Sequence, residues 1–267
     1  MTNRTIGFIG AGNMARSLAK GLIDNGWQAS QIVLSDPGNE QRQIATQLLG
    51  AECLSDNNEV VLRGDVLVLA VKPQQLRAAI EPLAAAVQKK KLMVISVVAG
   101  IHSADIEQWL GGNLAIIRTM PNTPALIGSG ASGLFANERA TEGDRNLAES
   151  LLRACGVTVW VDKEHKLDVV TALSGSGPAY YFLMMEALEN AAISRGLNEA
   201  DARLLSLETA LGAAKMALES QENPAQLRQR VTSPGGTTER SLTVFEDAGL
   251  RDICQQAVDA AISRALE

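Results

Sequence analysis

The chain has 267 residues, 46% hydrophobic and 20% charged, a balance that fits a core-forming globular protein with one large domain or two smaller ones. A net charge of −6 and an aromatic content of 3% argue against a nucleic-acid surface, which needs cations for phosphates and rings for bases. Cys53, Cys155 and Cys254 are far apart and form no C-x-x-C, so they read as free thiols in a reducing compartment. Neither a charged leader before an apolar stretch nor an apolar run of membrane length is present, which sets a soluble, cytoplasmic protein as the expectation. The two histidines, His102 at a helix start and His165 in a charged junction, leave almost no material for a zinc site or a histidine triad.

The first element is a strand, Thr5–Ile9, that runs into Gly10-Ala11-Gly12-Asn13-Met14-Ala15 and then a helical pattern of Leu18, Ala19, Leu22 and Ile23. This is the dinucleotide-binding fingerprint in its Gly/Gly/Ala form. Gly10 permits the tight turn, Gly12 lets backbone N–H groups near a pyrophosphate, and Ala15 allows helix and strand to pack closely. The helix front, with Asn13 and Met14, directs free N–H groups and a positive dipole end at the phosphates. A second strand, Gln31–Ser35, ends at Asp36, which lies about 20 residues past the loop, where an acid meets the ribose 2′-hydroxyl. Ser35 would instead suit a 2′-phosphate, so these two neighbours leave the cofactor open. A helix over 40–49 stops at Gly50.

Asp65–Val71 and Lys91–Val98 are continuous aliphatic runs of the doubly buried parallel type. The first ends in Ala70-Val71-Lys72-Pro73 and the second in Ala99-Gly100, both candidate cofactor loops at strand carboxyl ends. Asn113–Arg118 makes a further strand, followed by Met120-Pro121-Asn122-Thr123-Pro124, a stiff polar turn where ligands gather in open α/β sheets. Strands alternating with helices imply right-handed βαβ units. Ala131–Phe135 and Val157–Val161 flank a helix over 142–154 and extend the sheet. The domain boundary falls near Asp162–His165, giving residues 1–162 as an NAD(P)-binding Rossmann domain and 163–267 as a helical dimerisation and substrate-binding domain. The fold class is thus α/β: an N-terminal Rossmann-like doubly wound sheet followed by an all-helical dimerisation domain.

Helical patterns then cover 166–195, 199–219, 224–231, 237–248 and 251–266. Residues 199–219 are apolar or small on nearly every face, which one small domain could hardly bury, so an intertwined dimer is expected. Two segments interrupt the helices. Ser174-Gly175-Ser176-Gly177-Pro178-Ala179-Tyr180 puts glycine and proline inside a helical pattern, either for close approach to a ligand (with Ser176 as the candidate contact) or as a plain kink. Ser233-Pro234-Gly235-Gly236-Thr237-Thr238 leads glycines into a helix front, which makes either a backbone carboxylate pocket or an ordinary N-cap.

Across these segments the chain resembles pyrroline-5-carboxylate reductases over its full length. The resemblance implies a Rossmann domain, a helical dimerisation domain, often a decamer of five dimers, and hydride transfer from NAD(P)H to the C=N bond of 1-pyrroline-5-carboxylate, giving L-proline. It implies NADPH as donor, with Ser35 and Asn57 at the 2′-phosphate; Asp36 keeps NADH as the second candidate. Another departure is Asn223, where relatives usually place a histidine. A protonated imine already accepts hydride, so positioning dominates, with reacting atoms held about 3–3.5 Å apart. Ser233, Gly235, Gly236 and Thr237 then bind the ring carboxylate. The resemblance assigns Thr238 to the ring nitrogen as the catalytic residue, and Asn122 and Ser176 complete the substrate set. No metal is expected, and the active site is expected between the two domains. The rival readings are a β-hydroxyacid-type dehydrogenase, which would need a lysine that Ser174–Tyr180 lacks, and a non-catalytic nucleotide sensor, which would not need the pocket at 233–238.

Overall fold

A computed structural model describes residues 4–265. Its centre is an eight-stranded sheet in the order β3-β2-β1-β4-β5-β6-β7-β8. The strands are β1 (Ile6–Ile9), β2 (Ile32–Ser35), β3 (Glu52–Leu54), β4 (Val66–Leu69), β5 (Met93–Ser96), β6 (Ile116–Met120), β7 (Gly130–Ala136) and β8 (Gly156–Trp160). The first six are parallel in the 3-2-1-4-5-6 order of doubly wound dinucleotide folds. β7 pairs antiparallel with β6, and β8 parallel with β7.

The continuous apolar strands are explained by burial on both faces. Ile6, Phe8, Leu34, Val68 and Ile95 point to one side, against Leu18 and Leu22 of α1 (Asn13–Asp24), Leu49 of α2 (Asn39–Leu49) and Leu151 of α7 (Glu142–Arg153). The alternate residues Ile9, Val33, Leu67, Leu69 and Val94 point to the other. There they meet Val60 of α3 (Asn57–Arg63), Leu76 of α4 (Pro73–Ile80), Val87 of α5 (Ala84–Lys90) and Ile106 of α6 (Ser103–Trp109). This period of two with both phases apolar is what a sheet covered on both sides requires.

The expected elements are present, with three differences. β3 was not expected: it has three residues and begins on exposed Glu52, so it carries almost no apolar signal, yet it pairs with Val33–Ser35 at the sheet edge. The expected run over 166–195 is instead α8 (Lys166–Val170), a π-helical turn Thr171–Gly175, and α9 (Gly177–Ile193). Pro178 has no N–H to continue the α-helical ladder, and the Ser176 N–H reaches back five residues to the Thr171 carbonyl, at 2.8 Å. The strands expected at 91–98 and 113–118 begin later, because Lys91 and Asn113 have φ of 51° and 56° and cannot be extended.

The remaining helices are α10 (Glu199–Glu219), α11 (Pro224–Arg230), α12 (Thr237–Asp247) and α13 (Leu250–Ala265). Leu266, the expected end of the last, lies outside the described residues. Two compact units divide the chain: one runs through Ser176 and takes back the chain from Ala261, and the other is Gly177–Ala260. In the second, α9 packs on α10, with the Ser206 hydroxyl donating to the Met185 carbonyl. The apolar side chains Tyr181, Phe182, Leu204, Leu211 and Leu218 stay exposed.

One ion pair ties α6 and the segment before α8 to the sheet. Glu164 accepts from the Ser103 N–H at 2.6 Å, the Ser103 hydroxyl at 2.8 Å, and Arg118, a buried β6 residue, at 2.9 Å. Burial pushes the Glu164 carboxyl up, but the Ser103 and Arg118 hydrogen bonds together outweigh it and hold the group below the ordinary carboxylate range. A pKa lowered by folding adds stability that is full above the unfolded value of about 4.3 and fades as the pH falls through the folded value. The melting-temperature gap between wild type and Glu164→Gln is therefore expected to be widest near neutrality and to close in acid. A gap independent of pH would contradict this role.

Candidate active site

The glycine turn sits at the carboxyl ends of β1 and β4, where the strand order reverses and ligands bind in such sheets. Gly10 has φ +100°, and a Cβ there would lie 2.7 Å from the Ala70 carbonyl oxygen, so backbone from β4 closes on the turn. A Cβ on Gly12 would meet nothing within 4 Å, although Gly12 is the N-cap of α1. That helix has no side-chain cap and no acidic residue in its first turn. Its front N–H groups thus have no capping side chain, and the absent Cβ of Gly12 leaves room beside them, which fits a pyrophosphate.

Around this turn the structure gathers most of the residues expected from the sequence. The Gly10 N–H donates to the Ser35 carbonyl and the Ala70 N–H to the Ile9 carbonyl, both at 2.8 Å. Lys72 caps α4 and Pro73 opens it, while the Val97 N–H bonds the Leu69 carbonyl just before Ala99 and Gly100. Asn13 is exposed, and Met14 packs on the core. Asp36 is engaged within the protein: its carboxylate accepts from the Ala11 N–H at 3.1 Å and the Gly38 N–H at 2.8 Å. Ser35 is fully buried, its hydroxyl 2.8 Å from Asn57 Oδ1, and the Asn57 amide donates to the Ala79 carbonyl.

Two guanidinium groups were not singled out in the sequence. Arg16 donates to the Ala11 carbonyl, Gln41 and Asn13, and Arg42 donates to the carbonyls of Asp36 and Pro37. Burial first, then the Asp36 charge, pushes the Cys53 thiol up to about 11, with Arg42 and Arg16 pulling the other way. Two cations and one carboxylate thus share this edge. Their spacing of one helical turn past each strand–helix junction was the available signal.

Asn122 is nearly buried in the turn after β6, with its amide donating to the Ser174 carbonyl at 3.1 Å and its oxygen accepting the Ala131 N–H at 2.9 Å. Ser176 follows the π-turn and is half-buried.

In the second unit, residues 233–238 form one turn onto α12. The Gly236 N–H closes on the Ser233 carbonyl at 3.0 Å, and Gly235 has φ +71° with nothing near its Cβ position. The Gly235 N–H donates to the Glu239 carboxylate at 2.7 Å. Gly236 is an N-cap without a side chain, and Thr237, Thr238 and Glu239 occupy the first turn, where N–H groups have no helical acceptor. Ser241 and Thr243 return their hydroxyls to carbonyls four residues back, whereas among the described residues no hydrogen bond involves the Thr238 hydroxyl.

A family model described as pyrroline-5-carboxylate reductase dimerisation matches residues 164–267, and one described as NADP oxidoreductase, coenzyme F420-dependent, matches residues 5–100. Together with the glycine turn, they place the chain among pyridine-nucleotide-dependent oxidoreductases. A pyrroline-5-carboxylate reductase of Pseudomonas aeruginosa is 47% identical over 100% of this chain and 97% of its own, and one of Pisum sativum is 41% identical over 98% and 95%. The structure of a Coxiella burnetii pyrroline-5-carboxylate reductase superposes with a TM-score of 0.93 at 45% identity, covering 99% of this chain and 98% of its own. A Plasmodium falciparum pyrroline carboxylate reductase with NADP bound gives 0.89 at 28% identity, covering 100% and 98%. This chain belongs to the pyrroline-5-carboxylate reductase family.

Proposed function

We propose that the protein reduces the C=N bond of 1-pyrroline-5-carboxylate to give L-proline, with NADPH as the preferred donor. The observation that carries this reading is the turn at 233–238, where Gly236 leaves the front of α12 without a side-chain cap, in a chain whose first unit has a dinucleotide turn. When bound, the nicotinamide would supply hydride for the imine carbon. Gly10, Gly12, Asn13 and Met14 receive the pyrophosphate, with the loops Ala70–Pro73 and Ala99–Gly100 completing the edge. The N–H groups of Thr237 and Thr238, with Ser233, Gly235 and Gly236 beside them, take the ring carboxylate. The Thr238 hydroxyl orients the nitrogen of the protonated imine, and hydride addition at the imine carbon then gives the amine without a further proton.

The preference for NADPH is supported by Arg16 and Arg42 beside the end of β2, which offset the Asp36 charge that would repel a 2′-phosphate. A dimer through α9 and α10, assembling further into a decamer, is supported by the dimerisation-model match and by the exposed apolar faces of those helices. No helix among the described residues is long and apolar enough to cross a membrane. A cytoplasmic location is part of this reading, supported by three free cysteines.

The test is loss of nicotinamide absorbance on mixing protein, NADPH and pyrroline-5-carboxylate, repeated with NADH and with ketones derived from hydroxy acids. Oxidation with the imine alone, faster with NADPH, is expected. Inertness toward the imine would overturn the reading.

A further inference from the structure

Pro178 creates a local problem in the backbone. In an α-helix the Ser174 carbonyl would accept from the N–H four residues on, and that residue is a proline. The chain answers with the π-turn, whose five-residue step from Ser176 to Thr171 re-pairs one carbonyl, and the Ser174 carbonyl accepts from a side chain. That side chain is Asn122, whose amide donates to it at 3.1 Å from the turn after β6. The link is part of a closed ring: the Asn122 oxygen accepts the Ala131 N–H at 2.9 Å, and the Ser174 hydroxyl donates to the Ala131 carbonyl at 3.1 Å. Both ends of the Asn122 amide are thus committed, and the residue is only 9% exposed. Packing repeats the message, since a Cβ on Gly175 would lie 2.8 Å from Met120 Cε.

We propose that Asn122 is a positioning residue: it replaces the hydrogen-bond donor that Pro178 lacks and thereby holds the π-turn, and with it Ser176, in place for turnover. Two half-buried polar groups, the Ser174 carbonyl and the Ala131 N–H, lose this partner when Asn122 is truncated, which is why the turn depends on this one side chain. The antiparallel return of β7 makes the ring achievable, because it brings Ala131 back to the end of β6 where Asn122 sits. The kinetic part of this inference rests on the imine-reductase reading; the part concerning the turn does not.

The experiment compares the wild-type chain, Asn122→Ala, Pro178→Ala and the double variant by amide hydrogen exchange and by kinetics. In Asn122→Ala the Ser176 amide is expected to exchange about tenfold faster or more, while amides in β1 and β4 keep their protection. Turnover should fall about tenfold, with NADPH affinity within twofold of wild type. Adding Pro178→Ala restores a backbone donor for the Ser174 carbonyl, so the double variant should regain part of the protection and of the rate. A purely structural or substrate-contacting asparagine would show no such rescue. Unchanged Ser176 exchange, absence of rescue, or a parallel loss of NADPH affinity would each overturn the proposal. Should Asn122→Ala not fold, Asn122→Asp takes its place, since it keeps the shape but turns the donor into an acceptor facing the Ser174 carbonyl. A wild-type chain inert toward the imine would sink the functional reading and leave the exchange and rescue measurements to decide the clamp.

Discussion

Gly10→Ala is expected to abolish measurable NADPH binding and to lower the melting temperature, whereas Gly12→Ala loses binding with the fold intact. At Gly10 the φ of +100° already excludes an L side chain at low energy, and the added Cβ would meet the Ala70 carbonyl at 2.7 Å and 2.9 Å. Those are backbone atoms of the segment leaving β4, and no rotamer change moves them aside. Relief requires the turn to lift from β4, which breaks the Gly10-to-Ser35 and Ala70-to-Ile9 hydrogen bonds. The left-handed conformation adds about 1–2 kcal/mol of its own. At Gly12 the added Cβ meets no protein atom and φ is an ordinary −70°, so stability should hold. Its harm is reserved for the ligand, since the methyl group enters the space in front of α1. Affinity is read by nicotinamide fluorescence and stability by thermal melting. Normal NADPH binding by Gly12→Ala would remove the pyrophosphate from this turn.

Thr238→Ala should lower turnover about 10- to 100-fold, the range of one hydrogen bond to a charged group, with NADPH affinity unchanged. The neighbouring hydroxyls of Ser241 and Thr243 satisfy the helix backbone, and the Thr238 hydroxyl does not. Its removal therefore leaves the helix nearly undisturbed, and the loss reports on substrate alone. Thr238→Ser keeps the hydroxyl and should retain most of the rate. Equal kinetics for wild type and Thr238→Ala would deny the residue its role.

What the sequence made legible follows from how strongly each element is buried. β4 and β5 announce themselves because both faces are covered and nearly every position is aliphatic. β3 is silent because a three-residue edge strand with a charged first residue has no periodicity to display. The direction of β7 was equally unreadable, since a strand's composition does not state which way it runs. In both candidate binding turns the glycines, Gly10 and Gly12 in one and Gly235 and Gly236 in the other, were visible because geometry demands them, whereas the commitments of Asp36 and Asn122 arise only once distant segments meet. The π-turn belongs to the same class: Pro178 marks the break, but the repair is made by a residue 52 positions earlier than Ser174.

The uncovered apolar side chains of α9 and α10 also govern how the chain matures. On the proposed dimer, their desolvation waits for an encounter between two chains, so the closing step of refolding is second order and slows on dilution. Until that encounter the helices are adhesive, which makes crowded, hurried synthesis the condition under which this protein is most prone to aggregate.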